Sequence, residues 1–175
     1  MGDLVERKNY KPAIEAISLT KNKHIHYYIC GEGSEREDLE IFARELHIDS
    51  QVHFLGFRRD IFQLLTAADI FILSSQQEGL PRSTMEAMVF GLPCVLSNIR
   101  GNIDLVTNGE GGYLCDADDA SQYADALNRL ANSADLRADM GKKNRHNIEA
   151  LSLDNINVQM KEIYDQILAG GGIIH

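Results

Sequence analysis

Short apolar runs recur along the chain at residues 26–30 (HYYIC), 51–55 (QVHFL), 69–73 (DIFIL), 93–96 (PCVL) and 112–115 (GYLC). Each is bounded by Gly, Pro or polar residues, the pattern of a β-strand. Stretches with helical spacing lie between them. Residues 34–47 open with Ser-Glu-Arg-Glu, a capping box in which Ser34 accepts from the Glu37 amide; Leu39, Phe42 and Leu46 mark one face. Ile61, Leu64, Leu65 and Ala68 mark a short helix, and Asp60 stands where it can cap it. Ala120, Tyr123, Ala124, Leu127, Leu130 and Ala131 mark a longer one. Ile156, Met160, Ile163, Tyr164 and Ile167 mark another near the end. From Asn132 onward the tail has no strand pattern and is expected to pack across the domain.

Strands alternating with helices predict an α/β fold with right-handed crossovers and a mostly parallel sheet. Ligands of such sheets sit at the carboxyl ends of the strands, so the segment following each run is the place to look for chemistry.

Composition narrows the field. The 175 residues suffice for one domain with a real core, and 44% hydrophobic with 25% charged residues is ordinary for a globular protein. A net charge of −9 argues against a nucleic-acid partner but leaves room for a local phosphate cradle. Cys30, Cys94 and Cys115 lie far apart in or beside apolar runs, as buried reduced thiols of a cytoplasmic protein would. The six histidines show no zinc spacing, so no metal site is expected. No run approaches membrane-spanning length, and no signal peptide is visible.

Three loops follow strands. Gly31-Glu32-Gly33-Ser34 opens a helix and suits close backbone approach to a ligand. It is an incomplete dinucleotide fingerprint, because Arg36 occupies the third glycine position; a tight turn into a helix explains it equally well. Gly56 ends the second run and is followed by Phe57, Arg58 and Arg59. The third loop, from Ser74 to Met88, is the most informative. Pro81 stands at a helix start, where its missing amide costs little, so Arg82, Ser83 and Thr84 fall in the first turn. Free amides and the helix dipole make that turn a phosphate site. Dipole complementarity accounts for one acidic residue there, but not for Glu78 beside Gly79 with Glu86 eight positions later.

Glu78 to Glu86 resembles the E-x7-E motif of retaining GT-B glycosyltransferases, especially glycosyltransferase family 4 (glycosyl transferases group 1). The surrounding landmarks fall in that family's order: Ser74-Ser75, Glu78-Gly79-Leu80-Pro81, Glu86-Ala87-Met88 and Gly91-Leu92-Pro93-Cys94-Val95. Gly2-Asp3-Leu4 through Lys8-Asn9, Cys30-Gly31-Glu32-Gly33, residues 52–56 and residues 67–71 also match. So do Ser97-Asn98-Ile99-Arg100-Gly101-Asn102, which is similar to a loop of bacterial exopolysaccharide or capsule enzymes, and Gly112-Tyr113-Leu114. The resemblance covers nearly the whole chain.

It implies the C-terminal, donor-binding half of a GT-B fold: a Rossmann-like parallel sheet with helices on both faces over residues 1–150, then a helix and tail over 151–175. Its ligand would be a nucleotide-diphosphate sugar, UDP- or GDP-linked, used without a cofactor. Glu86 would accept from the ribose hydroxyls and Glu78 would touch the donor sugar. Gly79, Leu80, Pro81, Arg82 and Ser83 would hold diphosphate and sugar, largely through amides. Phe57 would lie by the base, Gly31 and Gly33 would be substrate-binding residues of their turn, and Lys8 would contact the diphosphate. Lys8 and Glu78 are the expected catalytic pair. Cleaving the anomeric bond loads negative charge onto the nucleoside diphosphate, which a cation and preorganised amides stabilise.

Asp3 stands where the family often carries an arginine. The resemblance also implies an N-terminal GT-B domain, bringing a glycan or lipid-linked acceptor, and a central strand ahead of Gly2. Without that strand two sheet edges lie open, and the Ile173-Ile174 end is a candidate filler. The implied process is polysaccharide or glycolipid assembly in the cytoplasm, with peripheral membrane association of the whole enzyme. A UDP-sugar epimerase of the same fold and a non-catalytic nucleotide-sugar-binding fragment are the alternatives.

Overall fold

The computed structural model describes residues 2–151. Its strands are β1 (Tyr27–Cys30), β2 (Val52–Gly56), β3 (Phe71–Leu73), β4 (Cys94–Ser97) and β5 (Gly112–Cys115). Its α-helices are α1 (Tyr10–Leu19), α2 (Arg36–Glu45), α3 (Ile61–Ala67), α4 (Arg82–Val89), α5 (Ala120–Ala131) and α6 (Ala134–Glu149). All the strand pairings are parallel: β1 with β2, and β3 with β4 with β5. Each apolar run of the sequence became a strand, shifted by at most two residues. The period of two shows best at β4, the middle strand of its ladder. Val95 faces one core while Cys94 and Leu96 face the other, and all are fully buried.

Helices cover both faces. One core packs α1, α2 and α5 against β1, β2 and β4, through residues such as Ile14, Ile17, Leu39, Tyr123 and Leu130. The other packs α3, α4 and the end of α6 against β3 and β4, through Leu65, Met88, Leu96 and Ile148. The sheet is nevertheless in two pieces, because no ladder joins β1 to β3. At their carboxyl ends the space between them is bridged by residues 2–9. The Gly2 amide donates to Cys30 O (3.0 Å) and the Leu4 amide to Glu32 O (2.9 Å). On the other side the Gln76 amide donates to Arg7 O (3.0 Å) and Ser74 Oγ to Asn9 O (2.6 Å). The split falls between β1 and β3, where the resemblance places a central strand ahead of Gly2.

Several local expectations need correction. Ser34 does not cap α2, which begins at Arg36 after Glu35 and has no side-chain cap. The Glu35 amide is spent on Leu4 O (3.0 Å), so the 33–35 turn is tied to the N-terminal segment and the helix starts later. Asp60 precedes α3 but does not cap it, because its carboxylate is held by Arg58. Helix α1 was not read from the sequence, although Tyr10, Ala13, Ile14 and Ile17 have helical spacing and are buried. Of the tail after Asn132, Ala134–Glu149 form α6, which packs across the domain. The Asn144 amide reaches Leu92 O (2.7 Å) and Gly111 O (2.6 Å). The helix expected around Ile156–Ile167 and the Ile173-Ile174 end lie outside the described residues.

Candidate functional site

An open cleft of about 670 Å³ lies at the carboxyl ends of β1 and β2, facing the start of α4. The predicted residues Lys8, Gly31, Phe57, Glu78, Leu80, Pro81, Arg82, Ser83 and Glu86 all line it. They come from four separate stretches of chain. Gly2, Asp3, Cys30, Glu32, Arg58 and Ile61 complete the wall. Gly33 does not line it. A Cβ there would stand 2.2 Å from Leu4 O, so this glycine lets the N-terminal segment pack closely. Gly31 has the same duty toward Gly2 O, at 1.8 Å, while also facing the cleft.

Lys8 and Glu78 meet across 70 residues: Nζ donates to Oε1 at 2.6 Å, and both side chains are about nine-tenths buried. Arg7 reaches the same carboxylate at 3.9 Å from a more exposed position and donates to Gln77 O at 2.9 Å. Burial opposes ionisation of Glu78, yet the Lys8 bond and the charges of Lys8 and Arg7 outweigh it and hold its carboxyl below the usual range. The buried Ser75 hydroxyl acts in the same direction from a position that falls short of good hydrogen-bond geometry.

Asn9, missed by the sequence reading, shapes the approach of Lys8. It adopts a left-handed conformation (φ 48°) between a single 3-10 turn (Glu6–Lys8) and α1. Its amide nitrogen donates to Ala117 O (3.0 Å) and Asp118 Oδ1 (2.9 Å), anchoring that corner to the loop after β5. A short polar side chain tolerates this backbone region, and its position just before a helical pattern was the available signal.

Helix α4 starts where Pro81 predicts. The Thr84 and Met85 amides donate to Pro81 O, and no side chain caps the helix. The Arg82 and Ser83 amides belong to the helix-start donors without partners inside the helix, and both residues line the cleft. One turn on, Glu86 is partly exposed, with Arg82 Nη2 3.8 Å from its Oε1. Gly79, also predicted, is not among the residues lining the cleft, and a Cβ there would meet nothing within 4 Å. Across the cleft, Phe57 is 69% exposed, an uncovered aromatic ring available for stacking.

The lining carries the cations Lys8, Arg58 and Arg82 against the carboxylates Asp3, Glu32, Glu78 and Glu86. The lining therefore carries no excess of positive charge; what it offers an anion is oriented amides and the Lys8 ammonium paired with Glu78. Among the described residues, no group of three or more His, Cys, Asp or Glu is placed to hold a metal ion. No described helix is long and apolar enough to cross a membrane.

The parallel α/β fold with a cleft at its strand ends is the fold found in one half of GT-B glycosyltransferases. HepE from Anabaena, solved in complex with UDP, superposes with a TM-score of 0.85 at 24% identity, over 94% of this chain and 48% of that one. The C-terminal domain of the group 1 glycosyl transferase LpcC from Francisella tularensis superposes with a TM-score of 0.78 at 24% identity, over 86% of this chain and 82% of that one.

The sequence model of the family "Glycosyl transferases group 1" matches residues 1–147, and the chain belongs to that family. It is 30% identical over 143 residues to the lipopolysaccharide core biosynthesis glycosyltransferase LpsE of Rhizobium meliloti, covering 82% of this chain and 42% of that protein. It is 36% identical over 123 residues to the UDP-Gal:alpha-D-GlcNAc-diphosphoundecaprenol alpha-1,3-galactosyltransferase of Escherichia coli, covering 70% of this chain and 32% of that protein. The chain thus spans less than half the length of these relatives.

Proposed function

We propose that this chain is the donor half of a retaining glycosyltransferase and binds a nucleotide-diphosphate sugar in the Lys8–Glu78–α4 cleft. The observation that carries the reading is the meeting of Lys8 and Glu78 at 2.6 Å beside the uncapped start of α4. The diphosphate sits on the Arg82 and Ser83 amides and shares Lys8 with Glu78. Glu86, one turn further along α4, accepts from the ribose hydroxyls, and the Phe57 ring lies by the base. Glu78 and Gly79 face the sugar. As the anomeric bond breaks, charge gathers on the departing diphosphate, where Lys8 and the helix-start amides stabilise it.

The complete enzyme places an acceptor, a glycan or lipid-linked sugar, against this cleft from an N-terminal GT-B half. It works in polysaccharide or glycolipid assembly at the cytoplasmic side, held peripherally at a membrane. The relatives named for lipopolysaccharide and diphosphoundecaprenol chemistry support that setting. A hexose on UDP or GDP is the favoured donor, and no metal cofactor is needed because Lys8 and the amides take its charge-stabilising role.

Calorimetric titration with UDP-, GDP- and ADP-sugars, with and without EDTA, tests this on the wild-type chain and on Glu86→Ala. Binding of one nucleotide class is expected, indifferent to EDTA and weakened roughly tenfold by the substitution. Absence of nucleotide binding, or unchanged affinity in Glu86→Ala, contradicts the reading.

A further inference from the structure

Behind the Glu78-Gly79 segment lies a buried polar relay, none of whose residues lines the cleft. Asn102, fully buried, donates from Nδ2 to Ser97 O (2.9 Å) and to Ser97 Oγ (3.1 Å). Ser97 Oγ in turn donates to Ser75 O (2.6 Å). Ser97 ends β4 and Ser75 follows β3, so the relay fixes the spacing between two strand ends at the point where the chain leaves toward Glu78. Gly101 adds a second contact. Its φ of 90° is a region that side chains rarely adopt, and a Cβ there would stand 2.1 Å from Gly79 O and 3.1 Å from Glu78 O. The 101–102 backbone is therefore the wall against which the peptide after Glu78 rests.

Burying an amide side chain with only part of its hydrogen-bonding capacity used is costly, and Asn102 Oδ1 has no partner here. Core packing alone is served better by an apolar residue, whereas a polar relay that fixes one loop conformation gives a reason to bear that cost. Lys8, Arg7 and Ser75 face the Glu78 carboxylate directly. Asn102 and Gly101 do not, so any effect they have on it passes through the loop.

We propose that Asn102 and Gly101 are positioning residues that hold the Glu78-Gly79 segment in register with Lys8 and the donor sugar, acting through Ser97, Ser75 and the Gly79 carbonyl. This rests on the donor-site reading above, but one arm of its test does not. In the ligand-free chain, carbon-detected NMR follows titration of the Glu78 carboxyl in wild type, Asn102→Ala and Gly101→Ala. Both variants should raise the Glu78 midpoint by about half a pH unit or more, because the carboxylate drifts from Lys8. In the second arm, UDP and UDP-glucose are titrated by calorimetry. The variants should weaken UDP-glucose roughly five- to tenfold while leaving UDP within about twofold.

An unchanged Glu78 midpoint in folded variants overturns the proposal, as does equal loss of UDP and UDP-glucose affinity. If the wild type binds neither ligand, the donor reading fails and the Glu78 titration still decides the positioning. Should Asn102→Ala fail to fold, Gly101→Ala and Ser97→Ala, which removes the middle of the relay, carry the same test.

Discussion

At the residue scale, the Lys8–Glu78 pair concentrates the chemistry. Without ligand the lysine spends its charge on the carboxylate at 2.6 Å. A diphosphate must therefore compete with Glu78 for Lys8. Glu78→Gln should tighten UDP binding a few-fold, by freeing Lys8 and removing a negative charge, while abolishing the extra affinity gained from the sugar. Calorimetry with UDP and the UDP-sugar separates the two effects, and weaker UDP binding in the variant contradicts the competition. The pair also links stability to pH. Because Glu78 is held below its ordinary value, its contribution is present above the unfolded carboxylate range and is lost as pH falls through the lowered folded value. Lys8→Ala should cost about 1 kcal/mol at neutral pH, roughly 2–4 °C in Tm for a domain of this size. That difference should shrink on acidification. Melts across acidic to neutral pH check the convergence, and a constant gap counts against it.

At the scale of elements, the strands were legible because each is a short apolar run closed by turn residues, and their carboxyl ends located the cleft. Pro81 gave the start of α4 because its ring sets φ and needs no partner for an amide. The capping signal at Ser34 failed for a tertiary reason, and that at Asp60 for a local one, an arginine two residues earlier. Leu4 O captured the Glu35 amide, and Arg58 captured the Asp60 carboxylate. Local sequence carries no record of partners 30 residues away. The glycines at 31, 33 and 101 are similar, since only the folded chain shows which backbone presses on each. Helix α6 illustrates a role separate from the cleft. Asn144, fully buried, ties it to Leu92 O and Gly111 O, at the turns leading into β4 and β5. Asn144→Ala should lower stability by about 2–3 kcal/mol, because two buried carbonyls lose a donor, with nucleotide affinity unchanged. Chemical denaturation paired with a UDP titration checks both halves; an intact stability or a lost affinity would mean that α6 does something else.

At the scale of the whole molecule, the sheet has two pieces and a seam. Among the described residues, the edges of β1 and β3 are bridged at their carboxyl ends by residues 2–9, which also deliver Lys8 to the cleft. The seam thus bears on both stability and the site. A strand seated between β1 and β3 would join the two pieces and satisfy both edges. A chain with a designed apolar segment of strand length fused ahead of Met1 should melt several degrees higher and aggregate less than the 175-residue chain. Equal melting temperatures would mean that the seam is closed by other means.

The central claim is that a nucleotide diphosphate binds in this one cleft, with its phosphates at the start of α4. The most direct measurement is a UDP or GDP titration of the isotopically labelled chain followed by amide chemical shifts. The account predicts that the largest shifts fall on Gly79, Arg82, Ser83 and Glu86, with Phe57 and Lys8 moving in parallel. Saturating nucleotide with no shifts at those amides, or shifts gathered at another surface, would contradict it.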